Sequence, residues 1–207
     1  MVCRPPARCL RAESQGPDGG HRVSIDPKAS SDQAFVAISG KTALVRVEGR
    51  GSFKISASLK QFGETVVQSR LSLMLVDMQH CIGMDSTFMG VLAGVATKMK
   101  AYEGRIVMVN CTPRTRGLLA TLGLDQLIHA FEVGQTPDAH AAVLNGRMSR
   151  EQLDPGSCQD VETLETMLAA HENLVDLVPE NLPQFKDVLI FLREEVARKT
   201  GGQPGMG

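Results

Sequence analysis

Residues 71–92 read LSLMLVDMQHCIGMDSTFMGVL, and they contain the change from an apolar strand to a helix. Residues 71–78 are apolar almost throughout, which is typical of a central strand that is covered on both faces. After a connecting segment at 79–83, we expect a helix to begin near Asp85, because apolar residues recur at helical spacing from Phe88 onward. This unit of strand, connection and helix predicts an α/β domain.

Further strands and helices are predicted on both sides of this unit. Two short β-branched runs separated by Gly40-Lys41 indicate a hairpin, and residues 105–110 form another buried strand. Thr112-Pro113 is typical of a helix start, and a last strand is expected at 129–133. The expected fold class is therefore α/β, with a mixed sheet of about four to five strands and helices packed against it.

Two amphipathic helices are predicted after this domain. They are joined by residues 179–183, and each has a single apolar face, so they form a helical hairpin at the C-terminal end. The predicted division of the chain is a flexible N-terminal leader at 1–32, an α/β domain at 33–135, a helical extension at 136–199 and a flexible tail at 200–207.

The composition argues against several classes of function. The formal net charge is −1 and aromatic residues make up only 4%, so neither a basic surface nor a base-stacking platform for nucleic acid is indicated. No apolar run is long enough to span a bilayer, and the five cysteines are scattered and odd in number, which favours reduced thiols. We therefore expect a cytoplasmic protein that binds no nucleic acid directly and has no membrane span.

A search for catalytic and metal-binding patterns gives nothing specific. Walker, dinucleotide-binding, metalloprotease and nucleophile-elbow motifs are absent, and the histidines lack metal-ligand spacing. We therefore expect no enzymatic activity, cofactor or metal. His171 lies on an apolar helical face, which favours a satisfied histidine in the core or at an interface.

The start of the helix near Asp85 is the segment best suited to a chemical function. Asp85 suits the N-cap position, and Ser86 and Thr87 then fall in the first turn, where their hydroxyls are expected at the surface. A phosphate there would meet backbone N–H groups and the positive end of the helix. An ordinary capped helix start explains the same residues, so the pattern alone does not decide between the two interpretations.

Three stretches resemble the STAS domain of bacterial anti-sigma-factor antagonists. They are Leu75-Val76-Asp77, the segment MDSTFMGVL at 84–92 and the segment LLATLGL at 118–124, and the resemblance extends over about 35–133. It implies that Ser86 is the phosphoacceptor, with Thr87 as second choice, and that the partner is an anti-sigma factor acting as a serine kinase. The unphosphorylated form would bind that partner and the phosphorylated form would not. The docking surface implied by the resemblance comprises Met84, Asp85, Thr87, Phe88 and Met89.

One residue departs from the family pattern. The family has glycine two residues after the acceptor, where this chain has Phe88, and the pattern leaves open whether that ring is in the core or at an interface. The alternative function is a STAS interaction subunit that is not phosphorylated, for example one accessory to a lipid transporter. Self-association is also left open.

Overall fold

The structure, a computed structural model, describes residues 32–146, 151–156 and 160–201. Of the predicted leader at 1–32 and the predicted tail at 200–207, residues 1–31 and 202–207 lie outside the described residues. The strands are β1 Gln33–Ser39, β2 Thr42–Gly51, β3 Leu73–Met84, β4 Arg105–Cys111, β5 Ile128–Glu132 and β6 Glu151–Gln152. The helices are α1 Phe53–Gln68, α2 Ser86–Lys100, α3 Pro113–Thr121, α4 Asp138–Asn145, α5 Val161–Leu177 and α6 Leu182–Lys199.

The strands form one mixed sheet in the order β5-β4-β3-β2-β1-β6. β1 and β2 pair as the predicted antiparallel hairpin, in which Gly40 at the turn has a positive φ of 58°. The pairs β2–β3, β3–β4 and β4–β5 are parallel, which is the arrangement expected when helices connect successive strands. The predicted fold class is confirmed, although the sheet has six strands among the described residues rather than four to five.

Two strand boundaries differ from the prediction. β6 has only two residues and pairs with β1, so it is too short to give a periodic signal in the sequence. β3 continues through 79–83, where we expected a connecting segment, because the irregular end of β2 pairs with it as far as Gly51 opposite Met84. A register shift between Gly49 and Arg50 accommodates this extension. As a result, β3 leads directly into α2.

The two faces of the sheet are covered unequally. The larger core lies between the sheet and α1 and α2, and Phe88, Leu92 and Met99 are among its fully buried residues. A smaller cluster on the other face contains Leu75 and Val107, with Leu144 of α4 packed against it. This burial of β3 from both sides explains its continuous hydrophobicity.

The predicted C-terminal hairpin is present as α5 and α6. α5 packs on both α1 and α2, and α6 packs on α5. Asn181, in the turn between them, donates from Nδ2 to the carbonyl of Leu174 at 2.9 Å and to that of Leu122 at 3.3 Å. The hairpin is therefore an added layer over the helices that follow β2 and β3. Within the described ranges, no helix is long and apolar enough to cross a membrane.

Candidate functional site

Asp85 stabilises the starts of two helices. As N-cap of α2, its Oδ1 accepts a hydrogen bond from the Phe88 N–H at 2.9 Å. Its Oδ2 accepts from the Phe53 N–H at 2.8 Å, at the start of α1, where the N-cap Ser52 provides no side-chain cap of its own. Burial raises the pKa of the Asp85 carboxyl, an effect that the hydrogen bonds from Phe88 and Phe53 partly offset. The predicted capping role of Asp85 is observed, together with a second cap that the sequence pattern did not indicate.

Ser86 is the first residue of α2, and its hydroxyl contacts the C-terminal hairpin. Its Oγ lies 2.9 Å from Nε2 of His171 in α5, and the Ser86 side chain is half-buried. Nδ1 of His171 lies 2.7 Å from the carbonyl oxygen of Met167, which can only accept a hydrogen bond, so Nδ1 carries the proton. Nε2 then has a free lone pair, and the Ser86 hydroxyl donates to it.

His171 connects three helices. Its ring is buried and meets the ring of Phe185 in α6 edge-on, at a centroid distance of 5.0 Å. Burial lowers the pKa of His171, while the Met167 carbonyl and the Asp85 carboxylate act to raise it. The sequence prediction of a satisfied histidine in the core or at an interface describes this residue correctly. Its contact with Ser86 was missed, because 85 residues separate the two and no local pattern links them.

Phe88 belongs to the core. Its ring is fully buried and packs against Gly51 at the end of β2, where even a Cβ would come within 2.8 Å of the ring. This contact explains in physical terms how the chain accommodates phenylalanine at a position where the family pattern has glycine. The sequence left open whether the Phe88 ring lies in the core or at an interface. In the structure it lies in the core and does not face solvent.

The other predicted docking residues are also largely covered. Met84, Thr87 and Met89 are buried, and Asp85 is half-buried. Their role in partner binding, like phosphorylation of Ser86 or Thr87, stays a prediction. The exposed apolar side chain near this helix start is Ile82, which is 69% exposed at the end of β3, and periodicity gave no reason to select it.

Asp77, which also belongs to the family-like motif, lies in a separate polar cluster. Its carboxylate accepts hydrogen bonds from Arg46 Nε at 2.9 Å, Asn110 Nδ2 at 2.8 Å and the Gln79 N–H at 3.1 Å. These bonds to the buried Asp77 carboxylate link β2, β3 and β4. They lie on the face opposite α1 and α2, because Asp77 has the same strand phase as Leu75. Asp77 is therefore a structural residue and is not part of the Ser86 site.

No group of metal-ligating side chains occurs in the described ranges. Cys81 and Cys111 are free and buried, and burial raises the pKa of both thiols, that of Cys111 to about 12. The candidate site at the start of α2 thus consists of the Ser86 hydroxyl, the His171 imidazole and the Asp85 carboxylate.

Comparison with known families identifies the domain that carries this site. Residues 34–129 match the family model described as "Mlab, STAS domain". The chain carries a STAS domain. The match ends within β5, so α4, α5 and α6, including His171, lie beyond the matched segment. A search of curated proteins gave no match.

Several solved structures are similar to the STAS domain. An anti-sigma factor antagonist from Mycobacterium paratuberculosis is 21% identical, with coverage of 56% of this chain and 96% of that one and a TM-score of 0.45. The Bacillus cell fate determinant SpoIIAA in its phosphorylated form is 17% identical, with coverage of 55% and 99% and a TM-score of 0.43. SpoIIAA in its unphosphorylated form is 16% identical, with coverage of 54% and 96% and a TM-score of 0.44.

Proposed function

We propose that this protein is a non-enzymatic anti-sigma-factor antagonist that a serine kinase switches off by phosphorylating Ser86. Its partner is an anti-sigma factor of the kinase type, so the function belongs in the cytoplasm. The observation that carries the proposal is the position of the Ser86 hydroxyl, half-buried at the first residue of α2 and placed by the Asp85 cap. The STAS match and the motif at 84–92 support the same role.

The chemistry of this position suits a charge-based switch. A phosphate on Ser86 would lie at the positive end of α2 and would add about −1.5 to −2 charges. Together with the Asp85 carboxylate, the phosphate would make the helix start strongly negative. Phe88 and Leu92 would stay buried in the core. Such a modification alters the surface for a partner without requiring the domain to unfold.

The proposal assigns the apolar contact with the partner to Ile82 rather than to Phe88. Ile82 is exposed and precedes Ser86 by four residues, so both could lie under one docked partner. Large apolar side chains that become buried on binding contribute strongly to affinity. An Ile82→Asp variant should lose binding to the anti-sigma factor while its thermal unfolding stays unchanged.

Phosphate mapping tests the proposal. The protein is incubated with ATP and each kinase-type anti-sigma factor encoded beside its gene, and then digested with trypsin. The fragment 71–98 contains Ser72, Ser86, Thr87 and Thr97, so the position must be assigned by fragmentation and by variants. We expect one phosphate in the wild type and in Thr87→Val, and none in Ser86→Ala. Equal modification of Ser86→Ala, or no modification by any of these kinases, would refute the proposal.

A second candidate is a STAS interaction subunit that is never phosphorylated, such as an accessory subunit of a lipid transporter. Its support is that His171 already binds the Ser86 hydroxyl and that the matching family model bears the name Mlab rather than that of an antagonist. Stable co-purification with transporter subunits, with unmodified Ser86 under all growth conditions, would favour this candidate.

A further inference from the structure

The contact between α2 and α5 is close and allows little adjustment. His171 accepts the hydrogen bond from Ser86, and Asn173 Nδ2 donates to the Gly90 carbonyl at 3.2 Å. At Gly90 the backbone of α5 approaches so closely that a Cβ would lie 2.1 Å from the Ala170 carbonyl oxygen. A change at the first turn of α2 therefore acts directly on α5.

The hydrogen bond between Ser86 and His171 depends on the serine proton. Nδ1 of His171 donates to the Met167 carbonyl, so the neutral ring can only accept at Nε2. In the unmodified protein, the Ser86 hydroxyl supplies the donor. This hydrogen bond therefore exists only while the Ser86 hydroxyl carries its hydrogen.

We propose that phosphorylation of Ser86 releases α5 from α2, and that this release is how the modification acts on the partner. The inference rests on the proposed function. The kinase transfers the γ-phosphoryl group of a nucleoside triphosphate: the bond from Ser86 Oγ to phosphorus forms, the bond from phosphorus to the diphosphate leaving group breaks, and the hydroxyl proton passes to solvent. The oxygens of dianionic phosphoserine can only accept hydrogen bonds, as can Nε2 of the neutral His171 ring, so the bond between them is lost.

The groups around Ser86 favour movement of α5 away from α2 over a rearrangement of side chains with α5 in place. The Asp85 carboxylate is held at the same helix start by its bonds to Phe88 and Phe53, so the added phosphate meets an existing negative charge. His171 is buried between α2 and Phe185 of α6, and a charged imidazole there would be poorly solvated. Moving α5 away exposes both the phosphate and the imidazole to water.

Release of α5 would change a surface much larger than Ser86. In the unmodified protein α5 packs on α2, and the buried His171 contacts the half-buried Ser86, so residues of both helices border the start of α2. Without α5 this composite surface no longer exists. The phosphate therefore ends partner binding by dismantling the surface as well as by its charge.

Hydrogen exchange on full-length protein tests this inference without a kinase. Phosphoserine is incorporated at position 86 by genetic encoding, and the matched control carries it at Ser69, an exposed residue just after α1. We expect amides of α5 to exchange about tenfold faster or more in the Ser86 form, as the loss of one buried hydrogen bond implies. Amides of β3 and β4 should be unchanged, and the Ser69 form should match the unmodified protein.

A second variant distinguishes the release of α5 from the effect of the added phosphate charge. Gly90→Ala would clash with the Ala170 carbonyl oxygen, so without a phosphate it should raise exchange more in α5 than in β3 and β4. Unchanged or slower exchange of α5 in the phosphoserine form would overturn the inference, and so would faster exchange throughout the sheet. Failure of every kinase to modify Ser86 would refute the proposed function but would leave this result standing.

Discussion

Two helix starts at the same edge of the sheet can be compared directly. α2 follows β3 and is capped by Asp85, and α3 follows β4 and is capped by Thr112, whose Oγ1 accepts from the Thr115 N–H at 3.1 Å. The first residue of α2 contacts His171 of the hairpin, whereas Thr112, Pro113 and Arg114 are exposed.

The difference shows that two helix starts with similar caps can have very different tertiary contacts. Both starts have good local sequence and both follow parallel strands. What distinguishes α2 is a side chain from α5, far along the chain, that binds its first hydroxyl. The following predictions distinguish the start of α2, which contacts α5, from the exposed start of α3.

The largest effect is expected from matched glycine substitutions in the two helices. Gly90→Ala in α2 would clash with the Ala170 backbone, and it should lower the free energy of unfolding by about 2 kcal/mol even after the gain in helix propensity. Gly117→Ala in α3 has open space and should raise that free energy by about 0.5–1 kcal/mol. Urea unfolding measures both, and equal changes of the same sign would contradict the described packing.

A smaller difference is expected from removing the two caps. Asp85→Ala leaves the N–H groups of both Phe88 and Phe53 without their side-chain acceptor, and it should cost about 2 kcal/mol. Thr112→Ala removes one cap bond and should cost about 1 kcal/mol. If denaturant unfolding shows that Thr112→Ala costs as much as Asp85→Ala, the double cap is not a significant source of stability.

The smallest effect is a pH dependence confined to the covered helix start. Because burial lowers the pKa of His171 in the folded protein, the unfolded chain takes up this proton first as the pH falls through about 6.5. The stabilising contribution of neutral His171 is therefore present above that pH and is lost below it. Between pH 7.5 and 5.5, exchange protection should fall in α5 more than in α3.

A variant identifies the group responsible for that pH dependence. His171→Gln removes the titrating ring and keeps a polar side chain at this position. The slope of stability against pH in this window should be shallower in the variant than in the wild type. An identical slope would mean that other histidines cause the effect.

The sequence predicted the domain because its signals are local. The apolar run at 71–78, the hairpin turn at Gly40-Lys41 and the cap at Thr112-Pro113 each depend on neighbouring residues. The structure has a strand, a turn and a helix start at these places, although the strand continues beyond the apolar run. The capping role of Asp85 is of the same kind.

The parts that the sequence did not predict depend on distant contacts. The extension of β3 needs the irregular end of β2, and the burial of Phe88 needs the bare backbone of Gly51. The bond between Ser86 and His171 joins residues on different sides of the STAS boundary. None of these pairs shares a periodic pattern, so only the folded arrangement brings them together.

The most direct test of the central claim is the affinity of the neighbouring kinase-type anti-sigma factor for two forms of this protein. The forms differ only by a phosphate at Ser86, and calorimetry measures both under the same buffer conditions. We predict that the unmodified form binds and that the phosphorylated form binds about tenfold more weakly or worse. Equal affinity of the two forms, or no binding by the unmodified form, would contradict the assignment of Ser86 as the switch.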